Sequence, residues 1–297
     1  MNRKIIIIYG PTAVGKTSLS LILAGELNAE IISADSMQVY KYLNIGTAKP
    51  SSEEMKKVKH HLINICEPYE TFSAGDFVKK SIKIIKNTDK NIIICGGTAM
   101  YIYSLINGIH DFPKIPCTVK EKLSTMKVEE LFSILREKDP EYADSVEYND
   151  KKRISRALEI ILVSGKKYSE WINEKPQHIL EEDYFFIKLT INRQKLYNHI
   201  NHRVDIMLKQ GWLKEIKNLL NNFPEDSYGF KQAIGYEDLI DYIKSGEGLE
   251  KIIENIKRKT RNYAKRQITW FNKFDGIIFD KDEKSEKTII KILREII

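Results

Sequence analysis

The chain has 297 residues, of which 42% are hydrophobic and 30% are charged. These values are typical of a globular protein that buries one large core, alone or with a smaller appended domain. The longest apolar runs are only a few residues, which excludes a membrane span. The net charge of +7 favours a polyanionic partner. Cys66, Cys95 and Cys117 lack C-x-x-C spacing, which argues against a zinc site or a disulfide framework, so we expect a reducing compartment, the cytoplasm.

The first part of the chain alternates apolar strands with a helical pattern. Residues 4–9 are a β-branched run that ends in glycine, and residues 17–27 have helical periodicity. Two further apolar runs, 29–34 and 91–95, predict a second and a third strand. Strands that alternate with helices predict an α/β fold with a parallel sheet covered by helices on both faces.

After Pro113 and Pro116 the strand pattern gives way to amphipathic helices. These are predicted at roughly 120–125, 128–138 and 150–164. Strand residues resume at 184–190, so we predict an all-helical insertion over 114–182 within a core formed by 1–113 and 183–297. The rest of the chain predicts helices at about 193–222, 231–244 and 248–272, and a last strand at 276–280.

A phosphate-binding loop is predicted directly after the first strand. The segment fits G-x-x-x-x-G-K-[ST] between a strand and a helix, which is the context that this motif requires. Its backbone N–H groups and the following helix N-terminus favour phosphate. The lysine supplies charge to the terminal phosphates, and the threonine hydroxyl is suited to ligate Mg²⁺. We call this segment the P-loop; it consists of Gly10, Pro11, Thr12, Ala13, Val14, Gly15, Lys16 and Thr17.

Asp35 is the acidic residue expected to face this predicted site. An ordinary P-loop NTPase holds Mg²⁺ with an aspartate at the end of another strand, but the strand at 91–95 is followed by Gly96, Gly97 and Thr98. Asp35 follows the second strand instead, where its carboxylate would face the phosphate site across the carboxyl ends of the sheet. It can accept a proton from a nucleophile or hold Mg²⁺; a helix N-cap is the structural alternative.

The motifs taken together resemble the tRNA dimethylallyltransferase (isopentenyltransferase) family. Singly they are modest, but they occur in order from residue 5 to about residue 272. The segments that carry the resemblance are 10–17, 35–40, 45–50, 60–62, 72–77, 96–98, 149–159, 232–236 and 265–271.

The resemblance implies a P-loop NTPase-like fold and a specific transfer reaction. The P-loop would bind the diphosphate of dimethylallyl pyrophosphate, with Mg²⁺ as the cofactor, rather than ATP. The dimethylallyl group would move to N6 of the adenosine next to the anticodon, position 37, and pyrophosphate would be released. In this family Asp35 matches the general base and Arg203 an arginine on the departing group, while Thr98 and Gln38 match residues that touch the target adenosine.

The expected macromolecular partner is the anticodon stem-loop of tRNA, bound by a monomer. A target base must leave its stack to reach such a pocket, which costs less from a single-stranded loop. Basic residues at helical spacing suit phosphate contacts, although Lys231 stands where many relatives carry an arginine, which puts its contact in doubt. The residues expected to contact tRNA are Asp35, Ser36, Met37, Gln38, Lys152, Arg153, Arg156, Lys231, Arg258, Arg261, Lys265 and Arg266.

Several other residues are interpreted as structural. Helical spacing favours core packing for Tyr263 and Trp270 rather than base stacking. The pair His60 and His61 lacks a third metal ligand at fitting spacing and is interpreted as packed or solvent-facing. Asp76 is expected near a helix start.

Three alternative functions remain open from the residues. A P-loop kinase would need a carboxylate after a later strand, which the sequence lacks. An enzyme that prenylates free adenine nucleotides needs no RNA-sized surface, so the basic helices argue against it. A nucleic-acid-binding module without catalysis would leave the P-loop and Asp35 unexplained.

Overall fold

A computed structural model describes residues 3–296, and the chain divides into two compact units. The first, which we call the core unit, runs up to Leu105 and resumes at Leu180. The second, the insert unit, is Ile106–Ile179. The insert unit therefore begins earlier than the boundary predicted from the two prolines, and it ends slightly before residue 182.

The core unit contains a six-stranded sheet in which every pair of neighbouring strands is parallel. The predicted α/β fold with a parallel sheet is confirmed. The order across the sheet is β3-β2-β4-β1-β5-β6, with strands β1 (Ile5–Tyr9), β2 (Ala29–Ser33), β3 (His60–His61), β4 (Asn91–Gly96), β5 (Tyr184–Thr190) and β6 (Ile277–Asp280).

The central strands are apolar because helices cover both of their faces. All five residues of β1 are fully buried, and so are Ile92, Ile93 and Ile94 of β4. β2 and β4 approach closely where they end: a Cβ atom on Gly96 would lie 2.1 Å from the carbonyl oxygen of Ala34. Gly96 therefore lets the chain leave β4 directly beside the chain that leaves β2.

Ten helices of the described chain belong wholly or mainly to the core unit. The predicted P-loop helix begins one residue early, and the predicted helix start near Asp76 is confirmed, since Asp76 forms a capping box with Ser73. The helices are α1 (Lys16–Glu26), α2 (Ser52–Lys57), α3 (Ala74–Lys86), α4 (Ala99–Asn107), α10 (Arg193–Lys209), α11 (Trp212–Leu220), α12 (Tyr228–Gln232), α13 (Tyr236–Ser245), α14 (Leu249–Phe271) and α15 (Glu286–Ile296).

Two long helices predicted from periodicity are interrupted by glycine. The helix predicted at 193–222 is in fact α10 followed by α11, with Gly211 between them at φ 97°. The helix predicted at 231–244 begins only after Gly235, which has φ 92°. Left-handed backbone ends a helix and is readily adopted only by glycine. The two predicted helices are therefore divided at these glycines.

The regular secondary structure of the insert unit is helical, apart from one isolated bridge between Ile109 and Gln177. Its core includes Leu131, Leu135, Ile154 and Leu158. Ile154 and Leu158 thus form the buried side of the helix that carries Lys152, Arg153 and Arg156. The helices are α5 (Cys117–Thr125), α6 (Val128–Lys138), α7 (Pro140–Ser145), α8 (Lys151–Ser164) and α9 (Tyr168–Asn173).

Within residues 3–296, every helix is too short or too polar to cross a lipid bilayer.

Candidate active site

A cavity of about 370 Å³ lies at the edge of the sheet where its strands end. Its walls come from segments that follow β1, β2 and β4, and the carboxyl ends of parallel strands share one edge. Helices α10, α12 and α14 supply further wall residues. Among the residues predicted from the sequence, the cavity is lined by Thr12, Lys16, Thr17, Asp35, Ser36, Met37, Gln38, Arg203 and Arg266.

The P-loop turns sharply between β1 and α1. Gly15 has φ 97° and precedes the first helical residue, so the helix N-terminus opens onto the loop. Gly10 passes close to β5, where an added Cβ would lie 2.6 Å from the carbonyl oxygen of Leu189. The remaining loop residues, Pro11, Ala13 and Val14, shape the turn without lining the cavity.

The Lys16 ammonium lies inside its own loop. Its Nζ donates hydrogen bonds of 2.8 Å to the carbonyl oxygens of Gly10 and Pro11. Burial lowers the pKa of Lys16 to about 8, and the positive charge of Arg203 acts in the same direction. An anionic ligand would offset both effects, so the loop favours negative charge at this point.

Arg203 extends from α10 to the P-loop. Its Nη1 donates to the Thr12 hydroxyl at 3.3 Å. Burial lowers the pKa of the guanidinium, and the carboxylate of Asp35 acts against that shift. The structure thus brings Arg203, Lys16 and Asp35 to one cavity, as predicted.

Asp35 sits in a turn rather than at the start of a helix, so the N-cap alternative does not describe it. Its Oδ1 accepts the backbone N–H groups of Met37 at 2.9 Å and Gln38 at 3.3 Å. These bonds fix the carboxylate, while Oδ2 takes part in none of the hydrogen bonds found among the described residues. Oδ1 is therefore fixed by the backbone, and Oδ2 can accept a proton or a hydrogen bond from a ligand in the cavity.

Thr98 acts on the turn that carries Asp35 and is not one of the cavity-lining residues. Its Oγ1 accepts the Ser36 backbone N–H at 2.9 Å, and its hydroxyl also contacts Ser36 Oγ at 3.2 Å. Burial raises the pKa of the Tyr263 hydroxyl, and the carboxylate of Asp35 acts in the same direction. The expectation of core packing for Tyr263 is wrong, because this side chain lines the cavity.

Gln38 is held at both ends of its amide. Its Oε1 accepts from Ser33 Oγ at 2.9 Å, and its Nε2 donates to the carbonyl oxygen of Ala48 at 3.2 Å. A change in the course of the loop that contains Ala48 would therefore move Gln38.

Glu215 of α11 holds that loop, and sequence reasoning did not identify it. Its Oε2 accepts the backbone N–H groups of Asn44 at 2.9 Å and Ile45 at 2.8 Å, while its Oε1 accepts the Tyr236 hydroxyl at 2.7 Å. The next residue, Gly46, lies so close to Trp212 that a Cβ would be 2.2 Å from its Nε1. Glu215 thus fixes one cavity wall through hydrogen bonds to backbone groups. Such bonds do not require particular side chains in the loop, so no sequence motif indicates them.

The two adjacent histidines differ in position. His60 lines the cavity, and its Nδ1 contacts the carbonyl oxygen of Val58 at 2.7 Å. His61 Nε2 lies 2.7 Å from the carboxylate of buried Glu30. Together they form the short edge strand β3, which sequence analysis missed because it is only two residues long.

The basic residues predicted on the core unit are mostly on its surface. Arg258, Lys265 and Lys231 are exposed, and Arg261 is half-buried with its Nη1 bonded to Asn201 Oδ1 at 2.6 Å. Arg266 lines the cavity.

On the insert unit, Lys152, Arg153 and Arg156 are exposed on α8. Arg153 lies 3.5 Å from Asp150, and Arg156 pairs with Glu159 at 2.9 Å. Exposed pairs of this kind are weak, so the arginines can exchange partners for phosphates.

The donor set for a metal ion is sparse. Residues 3–296 contain no group of three or more His, Cys, Asp or Glu side chains placed to hold a metal ion. Mg²⁺ is commonly bound by one or two protein oxygens together with substrate phosphates and water. Thr17 and Asp35 both line the cavity and provide oxygen donors of that type.

Comparison with known sequences gives a consistent result. Residues 38–274 match a family described as IPP transferase. The chain is 42% identical over 295 residues to a tRNA dimethylallyltransferase of Fusobacterium nucleatum subsp. nucleatum, covering 98% of this chain and 96% of the relative. It is 43% identical over 304 residues to a tRNA dimethylallyltransferase of Bacillus anthracis, covering 99% and 96%.

Solved structures agree. A tRNA delta(2)-isopentenylpyrophosphate transferase from Staphylococcus epidermidis superposes with a TM-score of 0.70 at 37% identity, covering 99% of this chain and 98% of its own. A eukaryotic dimethylallyltransferase acting on tRNA gives a TM-score of 0.81 at 32% identity, covering 94% of this chain and 74% of its own. With a family match over most of its length and relatives of 42–43% identity across nearly all of it, the chain belongs to the IPP transferase family.

Proposed function

We propose that the protein transfers a dimethylallyl group from dimethylallyl pyrophosphate to N6 of the adenosine next to the anticodon, position 37, in tRNA. The observation that carries this proposal is that Lys16 and Thr17 of the P-loop line the same cavity as the carboxylate of Asp35. The names of the relatives, tRNA dimethylallyltransferases, support the choice of donor and acceptor.

The reaction exchanges one bond for another at the first carbon of the dimethylallyl group. The carbon–oxygen bond breaks and its electron pair leaves with pyrophosphate. The lone pair of the adenine N6 forms the new carbon–nitrogen bond, and a proton on N6 passes to Asp35. The free Oδ2 of Asp35 suits this role because Oδ1 is held by two backbone N–H groups.

The diphosphate side of the cavity stabilises the charge that develops on the leaving group. Lys16, Arg203 and the amides at the start of α1 supply fixed positive charge and dipoles. Such groups accelerate transfer because they interact more strongly with the departing diphosphate than with the intact ester. Thr17 would hold Mg²⁺, which when bound neutralises charge on the diphosphate oxygens.

The acceptor base enters from a single-stranded loop of the RNA. Ser36, Met37 and Gln38 line the cavity beside Asp35 and would contact the flipped adenine. Arg258, Arg261, Lys265 and Arg266 on the core unit and Lys152, Arg153 and Arg156 on the insert unit would bind phosphates of the stem-loop; we extend this role to Lys231. Because one chain supplies every residue named here, we propose a monomer as the active form, and its three free cysteines accord with the cytoplasm.

One assay separates this function from its alternatives. The protein is incubated with Mg²⁺, labelled dimethylallyl pyrophosphate and either unmodified tRNA or AMP. We expect label in the tRNA at the adenosine next to the anticodon. Label in AMP alone would mean a free-nucleotide prenyltransferase, and label in neither, together with ATP turnover, would mean a kinase or NTPase.

A further inference from the structure

Gln267 is a buried polar side chain whose amide joins two walls of the cavity. It lies on α14 and is only 4% exposed. Its Oε1 accepts the backbone N–H of Thr12 at 2.8 Å, and its Nε2 donates to the carbonyl oxygen of Gly97 at 2.7 Å. Since the acceptor and the donor are both bonded to backbone, the amide has one favourable orientation.

The first contact acts on the P-loop. Thr12 is bonded twice, through its N–H to Gln267 and through its hydroxyl to Arg203. A backbone N–H that is bonded to Gln267 is not available to a phosphate. The side chain therefore serves to set the course of the loop between β1 and Lys16.

The second contact acts on the wall that carries the carboxylate. Gly97 is followed by Thr98, whose hydroxyl accepts the Ser36 N–H beside Asp35. A Cβ on Gly97 would lie 2.3 Å from Gln267 Nε2, so the glycine leaves room for the amide. A continuous chain of contacts thus runs from Gln267 through Gly97, Thr98 and Ser36 to Asp35.

We propose that Gln267 is a positioning residue that fixes the P-loop and the Asp35 turn at one separation. The proposal rests on the proposed function, in which one wall holds the diphosphate and the other receives the proton. Transfer requires the reacting carbon and nitrogen at about 3–3.5 Å, and a misplacement of about 1 Å can cost on the order of 10²-fold in rate. Gln267 is not among the residues that line the cavity, so it acts through Thr12 and Gly97 and not on the substrate.

The first test replaces Gln267 by methionine, which has similar volume and no amide. We expect Gln267→Met to lower kcat on the order of 10²-fold. The Kd values for inorganic pyrophosphate and for tRNA should each change by less than about threefold, because ground-state contacts remain. Gln194→Met, the same substitution on the exposed face of α10, is the matched control. An unchanged kcat, or a loss explained entirely by weaker binding, would overturn the proposal.

A second test uses the close approach at Gly97, whose φ is not in the left-handed region, so that alanine fits the backbone. Gly97→Ala should lower kcat because the new methyl displaces the Gln267 amide. In a Gln267→Ala background the methyl has room, so adding Gly97→Ala should cost less than about threefold further. Strictly multiplicative effects of the two substitutions would show that the two residues act independently, against the proposal.

A third measurement does not depend on transfer activity. The Thr12 amide is hydrogen-bonded in the wild-type protein and should exchange with solvent at least about tenfold faster in Gln267→Met. If the wild-type protein labels neither tRNA nor AMP, the proposed function fails, but the exchange rate of the Thr12 amide still tests whether Gln267 holds the P-loop. Equal exchange rates in the wild-type protein and in Gln267→Met would overturn the positioning role of Gln267. Should the methionine variant not fold, Gln267→Glu keeps the Thr12 acceptor and replaces the Gly97 donor, so it should retain slow exchange and still lose kcat.

Discussion

Raising the pH should weaken binding of a diphosphate ester because Lys16 loses its charge early. The pKa of Lys16 lies at about 8 instead of the usual 10.5, with burial as the largest cause. The carboxylate of Asp35 acts in the opposite direction but does not offset burial. A lowered lysine pKa means that the protonated form, which the diphosphate needs, is lost as the pH rises through 8.

The size of the effect follows from this pKa. The charged fraction of Lys16 falls from about 0.9 at pH 7 to about 0.1 at pH 9. If the charged form alone binds the ester, the Kd rises about tenfold, which corresponds to about 1.4 kcal/mol. A lysine with the ordinary value would remain charged at pH 9, and affinity would be flat.

Isothermal titration calorimetry with an unreactive diphosphate monoester, in the absence of RNA, measures this directly. The last ionisation of such an ester is complete above about pH 7, so the ligand charge stays constant. Lys49 also has a pKa of about 8, so the control is Lys16→Arg, whose guanidinium stays charged throughout. The Kd of the Lys16→Arg variant should be independent of pH. A flat wild-type profile, or the same slope in the variant, would refute the role given to Lys16.

Three further outcomes are expected. Asp35→Asn should lower turnover by roughly 10²–10⁴-fold in a single-turnover assay with tRNA affinity retained, and unchanged turnover would exclude Asp35 as the base. Arg261→Ala should weaken tRNA binding and reduce the salt slope of log Kd by about one, with the affinity for pyrophosphate unchanged; equal loss of both would indicate a folding defect. Glu215→Ala should lower the free energy of unfolding by about 2–3 kcal/mol in urea titrations, because the amides of Asn44 and Ile45 lose their acceptor. A change within experimental error would show that this loop is held by other contacts.

Local features of the site could be predicted from the sequence. The P-loop is a contiguous motif, and the apolar run before it and the helical periodicity after it predict its flanking strand and helix. Helix α6 and strand β5 begin and end at the residues predicted from periodicity. Asp35 and Lys16 could be placed together because parallel strands end at one edge of a sheet.

Long-range polar contacts could not be predicted in this way. Gln267 bonds to Thr12 across 255 positions, and Glu215 bonds to Ile45 across 170. Gln267 and Glu215 both accept from backbone N–H groups. Because any residue supplies such a group, the side chains of Thr12 and Ile45 do not indicate the contact. Tyr263 was misassigned because helical spacing indicates an inward direction without distinguishing an apolar core from a cavity wall.

Helix α14 has a consequence for which changes in chain length the protein can tolerate. Its buried side chains Ala264, Gln267 and Phe271 lie on one face, while Arg258, Lys259 and Lys265 are exposed. One residue inserted or deleted within the helix, ahead of these side chains, would rotate them by about 100° about the helix axis and turn them away from their present partners. Insertions and deletions among natural variants should therefore fall in the turn before the helix, where Gly246 and Gly248 have open space around them.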